Sequence, residues 1–141
     1  MKKYISNSYL DTVKIAKEFS KSVNSGDIIL LKGDLGAGKT AFVKAFVKNF
    51  DVSDNIVTSP TFTIVNEYNI KDKRIYHFDL YRIKDVSELY NIGIEEYLYS
   101  DAICFVEWPE RAIELFNKNV IIVNILKLGE TEREITIEKR N

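Results

Sequence analysis

Gly33-Asp34-Leu35-Gly36-Ala37-Gly38-Lys39-Thr40 match the spacing G-x-x-x-x-G-K-[ST], whose chemistry is the capture of a polyphosphate. Glycines let the backbone bend until successive N–H groups converge on phosphate oxygens. Lys39 adds a point charge at the β and γ phosphates, and Thr40 offers a hydroxyl to magnesium. The competing reading is a glycine turn that happens to contain Lys-Thr, and the flanks decide between the two. Ile28-Ile29-Leu30-Leu31 is an apolar run bounded by Gly26 and Gly33, as expected of a strand buried on both faces. From Ala41 to Phe50, the residues Phe42, Ala45, Phe46 and Phe50 recur on one helical face. Strand, glycine loop and helix in that order aim the positive end of the helix at the anion.

Magnesium beside a polyphosphate also needs an acid at the end of a neighbouring strand, because the ion keeps near-octahedral oxygen coordination. Two acids qualify. Glu107 closes the apolar run Ala102-Ile103-Cys104-Phe105-Val106 and is assigned to the metal, directly or through water. Asp79 follows Tyr76 and His77 and is assigned to a place nearby, either as an acid holding the metal's waters or as the group that orients the attacking water; capping a strand at the surface is its alternative. Ser59-Pro60-Thr61-Phe62 supplies a further candidate, since Pro60 biases Ser59 to extended backbone and leaves Thr61 on a loop. A threonine so placed can sense magnesium and the γ-phosphate, although a plain proline turn fits the spacing equally.

No Asn-Lys-x-Asp string occurs, so nothing argues for guanine and ATP is the expected nucleotide. Arg82 and Arg111 are candidates for an arginine finger, but surface pairing is the commoner fate of a lone arginine, and slow hydrolysis without a partner follows. His77 has the strand parity to face the site or to be a hydrogen-bonded structural residue. Cys104 reads as inert core. Trp108 either packs under the site or faces a partner.

The elements that must position these groups can be read in outline. Ser8 and Asp11 resemble a capping box, followed by Leu10, Val13, Ala16, Phe19 and Val23 at helical spacing, which predicts a helix from Tyr9 to Ser22. Phe62 to Tyr68 and Arg74 to Leu80 predict an antiparallel hairpin. Asp85 and Glu88 cap a short helix, Pro109 starts another running to Phe116, and Val120 to Leu126 with Glu134 to Ile137 form a terminal hairpin around Gly129-Glu130-Thr131. The fold class expected is α/β: one P-loop NTPase-like domain over 1–141, with a mixed, mainly parallel sheet flanked by helices and carrying antiparallel hairpins.

Composition bounds the function. Twenty Lys plus Arg oppose 21 Asp plus Glu, a formal net charge of -1, so no global basic field exists to hold nucleic acid or an anionic membrane. One cysteine and one histidine exclude a disulfide framework and a zinc site built from those residues. The expected setting is cytoplasmic: Met1-Lys2-Lys3-Tyr4-Ile5-Ser6 turns polar before a signal-like run develops, and no apolar stretch is long enough for a membrane span.

The phosphate loop, Ser59-Pro60-Thr61-Phe62-Thr63, His77-Phe78-Asp79-Leu80-Tyr81-Arg82 and Val106-Glu107-Trp108-Pro109-Glu110, in this order, resemble the TsaE (YjeE) family from about Ser8 to Arg111. The resemblance implies a magnesium-dependent (Mg2+) ATPase that assists synthesis of threonylcarbamoyladenosine in tRNA, docking on a TsaB–TsaD transferase and hydrolysing ATP to permit repeated turnover. By motif position it implies Thr40 and Glu107 as magnesium ligands, and Leu35, Gly36, Ala37, Gly38, Lys39 and Thr40 as the triphosphate cradle. Lys39, Asp79 and Thr61 are then the residues tied to hydrolysis, and adenine contacts are expected around Ser8, Tyr9 and Thr12. Little or no autonomous tRNA binding and no membrane are expected. Two other readings remain open: a small-molecule kinase, and a nucleotide-dependent binding module without significant hydrolysis.

Overall fold

A computed structural model describes all residues except 61–62 and 118, and the side chain of Asp54. Seven strands form one sheet in the order β1-β7-β6-β2-β5-β4-β3. The central strand β2 (Ile28–Lys32) lies parallel to both β5 (Ile103–Glu107) and β6 (Val120–Lys127), and β5 is parallel to β4 (Lys73–Asp79). The flanks are antiparallel: β3 (Val65–Ile70) on β4, β7 (Arg133–Arg140) on β6, and β1 (Lys2–Ser6) on β7.

The apolar runs are explained by two covered faces. Ile29, Leu31, Ile103, Phe105 and Val123 pack with Phe19 of helix α1 (Tyr9–Ser20) and with Phe42 and Phe46 of helix α2 (Lys39–Lys48). Leu30, Cys104, Val106 and Ile122 point the other way, against Leu89 of α3 (Ser87–Asn91) and Ile94 and Leu98 of α4 (Ile94–Leu98). Alternation along each strand therefore sends apolar residues to a core on either side, so no polar face interrupts the run. Phe46 is the hub of the first core, with ring centroids 5.0 Å from Phe105, 5.4 Å from Phe50 and 6.1 Å from Phe19. Burial of each such ring is worth about 1.5–3 kcal/mol, which fixes α2, and with it the phosphate loop, against the sheet.

Several elements differ from expectation for identifiable reasons. Helix α1 stops at Ser20 because the Ser20 and Ser22 hydroxyls donate to the Lys17 and Phe19 carbonyls, closing the last turn. Its cap is as expected on one side, with Ser8 Oγ accepting from Asp11 N at 3.1 Å, but the Asp11 carboxylate reaches back to Asn7 N at 2.9 Å rather than to Ser8. Helix α2 starts at Lys39, two residues before Ala41. The β3–β4 turn is shorter than expected, only Lys71 and Asp72 separating the strands, with Lys71 at φ 55. Strand β1 was not foreseen: Lys-Lys-Tyr-Ile-Ser offers little apolar alternation, and its pairing with β7 is secured at the edge by a Lys3–Glu134 ion pair of 2.7 Å. After Pro109 the chain forms 3-10 turns over Pro109–Leu115 instead of an α-helix, broken at the fully buried Ala112, which takes φ -149 and ψ 46.

Candidate functional site

The phosphate loop leaves the end of β2 and enters α2, and its glycines meet different demands. A Cβ on Gly33 would lie 2.6 Å from the Ile125 carbonyl oxygen, so this glycine allows close passage of β6. Gly36 and Gly38 instead hold φ of +81 and +107, the left-handed region that side chains disfavour. At the start of α2 the N–H groups of Lys39, Thr40 and Ala41 precede the first intrahelical bond, which runs from Phe42 N to Gly38 O, and they are the orphan donors an anion can satisfy.

Lys39 is only 5% exposed. Its Nζ donates to the Gly33 carbonyl and stands 3.6 Å from the centroid of the Trp108 ring. Burial lowers its pKa, and the carboxylates of Glu107, Glu110, Asp79 and Asp34 act in the opposite direction. Trp108 reaches this place because it adopts φ 58 and ψ 49 directly after β5. It packs against Tyr81, with ring centroids 4.9 Å apart.

Both expected acids are buried at the same level of adjacent strands, Asp79 opposite Glu107 in the β4–β5 register. Glu107 Oε2 accepts from Thr40 Oγ1 at 2.8 Å and is paired with His77 Nε2 at 2.6 Å. Asp79 Oδ1 accepts from Tyr81 N at 2.9 Å. Thr40, Glu107 and Asp79 together present hard oxygen donors, the set that suits magnesium rather than a softer metal. His77 is fully buried, and both of its nitrogens are engaged, Nδ1 lying 3.0 Å from the Tyr68 hydroxyl.

Two clefts flank the loop. One, of ≈ 480 Å³, is bordered by Gly36, Lys39, Thr40, Asp79, Glu107 and Trp108. The other, of ≈ 250 Å³, lies across Gly38 and is bordered by Ser8, Tyr9 and Thr12, the positions expected near an adenine, together with Arg133. Arg133 escaped the sequence reading. Its Nε donates to the Ala37 carbonyl at 2.8 Å, while Nη1 donates to the carbonyls of Gly129 at 3.0 Å and Glu132 at 3.1 Å. It thereby clamps the phosphate loop to the β6–β7 turn. An arginine at the start of a strand carries no motif that would have announced this. Thr61 lies outside the described residues; beside it, Ile64 N donates to the Pro60 carbonyl and Asp79 N to the Ile64 carbonyl, both at 2.8 Å.

A family model described as "Threonylcarbamoyl adenosine biosynthesis protein TsaE" matches residues 6–135, a span that holds every site residue from Ser8 to Arg133. The chain belongs to the TsaE family. It is 41% identical over 126 residues to the TsaE protein of Bacillus subtilis, covering 89% of this chain and 78% of that one. With the TsaE protein of Rickettsia typhi it shares 39% over 135 residues, covering 96% and 93%. The crystal structure of Bacillus subtilis YdiB superposes with a TM-score of 0.79 at 33% identity, covering 99% of this chain and 86% of that one. The α/β sheet described above is thus a TsaE fold.

Proposed function

We propose that this protein binds ATP across the two clefts and hydrolyses it with magnesium, slowly alone and faster when docked on a TsaB–TsaD complex, in support of threonylcarbamoyladenosine synthesis in tRNA. The observation that carries the ATPase reading is the direct bond between the Thr40 hydroxyl and the buried Glu107 carboxylate at the start of α2. Two oxygen donors separated by 67 positions in sequence meet there, which supports a metal site at the start of α2. Family membership supports the role in tRNA modification. The formal net charge of -1 supports little autonomous tRNA binding. Among the described residues no helix is long and apolar enough to cross a membrane, and a cytoplasmic site of action is part of the proposal.

Leu35 to Thr40 would bind the phosphates through backbone N–H groups, and Lys39 would exchange the Gly33 carbonyl for a phosphate oxygen. Thr40 and Glu107 would hold magnesium, which when bound neutralises charge on the β and γ phosphates. Asp79, one strand away from Glu107, would orient the water whose oxygen bonds to the γ-phosphorus as the bond to the bridging oxygen breaks, giving ADP and phosphate. Thr61 is proposed as the sensor of the γ-phosphate. Ser8, Tyr9 and Thr12 border the cleft proposed for the adenine.

The deciding experiment measures phosphate release by the purified chain with and without a TsaB–TsaD pair. Low release alone, a rise with the pair, and loss of both in Lys39→Ala are expected. Transfer of the γ-phosphate to a metabolite would overturn the reading in favour of a kinase. Nucleotide-dependent docking with no hydrolysis under any condition would overturn it in favour of a binding module.

A further inference from the structure

His77 is a buried imidazole that the reaction outlined above does not use, and its surroundings form a continuous path. In the antiparallel register Tyr68 faces Ile75 and is therefore diagonal to His77; in the parallel register His77 faces Phe105 and is diagonal to Glu107. Diagonal neighbours on one face of a sheet are within reach of long side chains, and here the polar ones touch. The Tyr68 hydroxyl donates to the Thr58 carbonyl at 3.0 Å and accepts from Thr58 N at 3.3 Å. Thr58 is the residue before Ser59-Pro60. Its carbonyl has a second donor in Asn66 Nδ2 at 3.2 Å.

The Tyr68 hydroxyl thus joins the Thr58 carbonyl to His77 Nδ1, and His77 Nε2 continues to Glu107, a continuous chain in which each hydrogen bond polarises the next. Glu107 ends the chain on the same oxygen that Thr40 holds.

We propose that His77 is a positioning residue that holds Glu107 in its metal-facing orientation, and that Tyr68 couples His77 to Thr58, so that occupancy beside Glu107 is felt at the root of the Ser59-Pro60 segment. This rests on the reading that Glu107 serves a magnesium–nucleotide complex. Partners of this kind behind a metal ligand change metal affinity or activity by about 10–100-fold when removed.

The test combines amide hydrogen exchange at Thr58 with affinity for a fluorescent ATP analogue, with and without magnesium, in wild type, Tyr68→Phe, His77→Leu and His77→Gln. In wild type the magnesium–nucleotide complex should change Thr58 exchange. Tyr68→Phe should abolish that response and leave magnesium-dependent affinity near wild type. His77→Leu should lose the response and about 10–100-fold in magnesium-dependent affinity. His77→Gln keeps an amide donor towards Glu107 and should recover the affinity without the response. A Thr58 response that survives Tyr68→Phe would overturn the coupling. Unchanged magnesium dependence in His77→Leu would overturn the positioning role, and if that variant fails to fold, His77→Gln and Tyr68→Phe still decide between the outcomes. A wild type that binds no magnesium–nucleotide would instead overturn the functional reading. Exchange in the nucleotide-free protein would still test the path, because Thr58 should exchange faster in His77→Leu only if His77 holds Tyr68.

Discussion

The two clefts beside the phosphate loop are built on different principles. On the side of Glu107, ionisable side chains are buried and tied to one another: Lys39, Asp79, Glu107 and His77 are all nearly inaccessible, and each has at least one polar partner. On the side of Ser8 and Arg133, the walls are hydroxyls, small residues and the side chains of Tyr9, Ile125 and Ile135, with Glu130 at the border and one guanidinium tying the loop to the β6–β7 turn. Buried charge is costly unless paired, so the first cleft is a fixed electrostatic device. The second fixes shape. Chemistry is expected to depend on the first and nucleotide retention on the second.

Substitutions can break that division. Glu107→Ala should have the largest effect, with magnesium-dependent ATP affinity and turnover both falling by about 100-fold, measured by nucleotide titration with and without magnesium and by phosphate release. Asp79→Ala should leave affinity near wild type and slow turnover by about 10–100-fold. Equal loss of binding in both would erase the distinction between metal holding and water orienting. Arg133→Ala belongs to the other cleft: affinities for ATP and ADP should fall together, by about tenfold, with turnover of the bound complex unchanged. A selective effect on turnover would show that the clefts are not separate in function. Ser8→Ala should cost about 1 kcal/mol of stability by removing the α1 cap, read from denaturant unfolding, with turnover at saturating ATP preserved.

The subtlest expectation concerns Cys104, in the core away from both clefts. Burial pushes its thiol from 9.0 up to about 12. The folded state therefore keeps a proton that the unfolded chain releases, so stability should fall as pH rises from 9.0 towards 12. That slope should flatten in Cys104→Ala once the loss of the sulfur is accounted for. Alkylation of the native thiol should be slow in the same pH range.

The same division separates what the sequence reveals from what it hides. Lys39, Thr40, Asp79 and Glu107 are legible because charge chemistry demands particular residue types at particular spacings, and the runs before them are apolar because both faces of β2 and β5 are covered. Arg133 and Tyr68 are not legible. One is set by the pairing of β7 with β6, the other by the register of β3 against β4, and neither register can be read locally. Strand β1 is hidden for a similar reason, since its order comes from an edge pairing rather than from its own hydrophobic pattern. The segment after Pro109 carries a helix-start signal, yet the chain kinks at the buried Ala112, a tertiary setting that local propensity does not report.

Trp108 is the sole tryptophan of the chain, and its ring lies 3.6 Å from the ammonium that phosphate is expected to draw away. An indole beside a cation emits differently from one released from it. The protein should therefore carry its own optical gauge of the proposed phosphate site, readable in stopped-flow without any label. The arrival of nucleotide and the departure of phosphate should be resolved as separate phases of one emission trace.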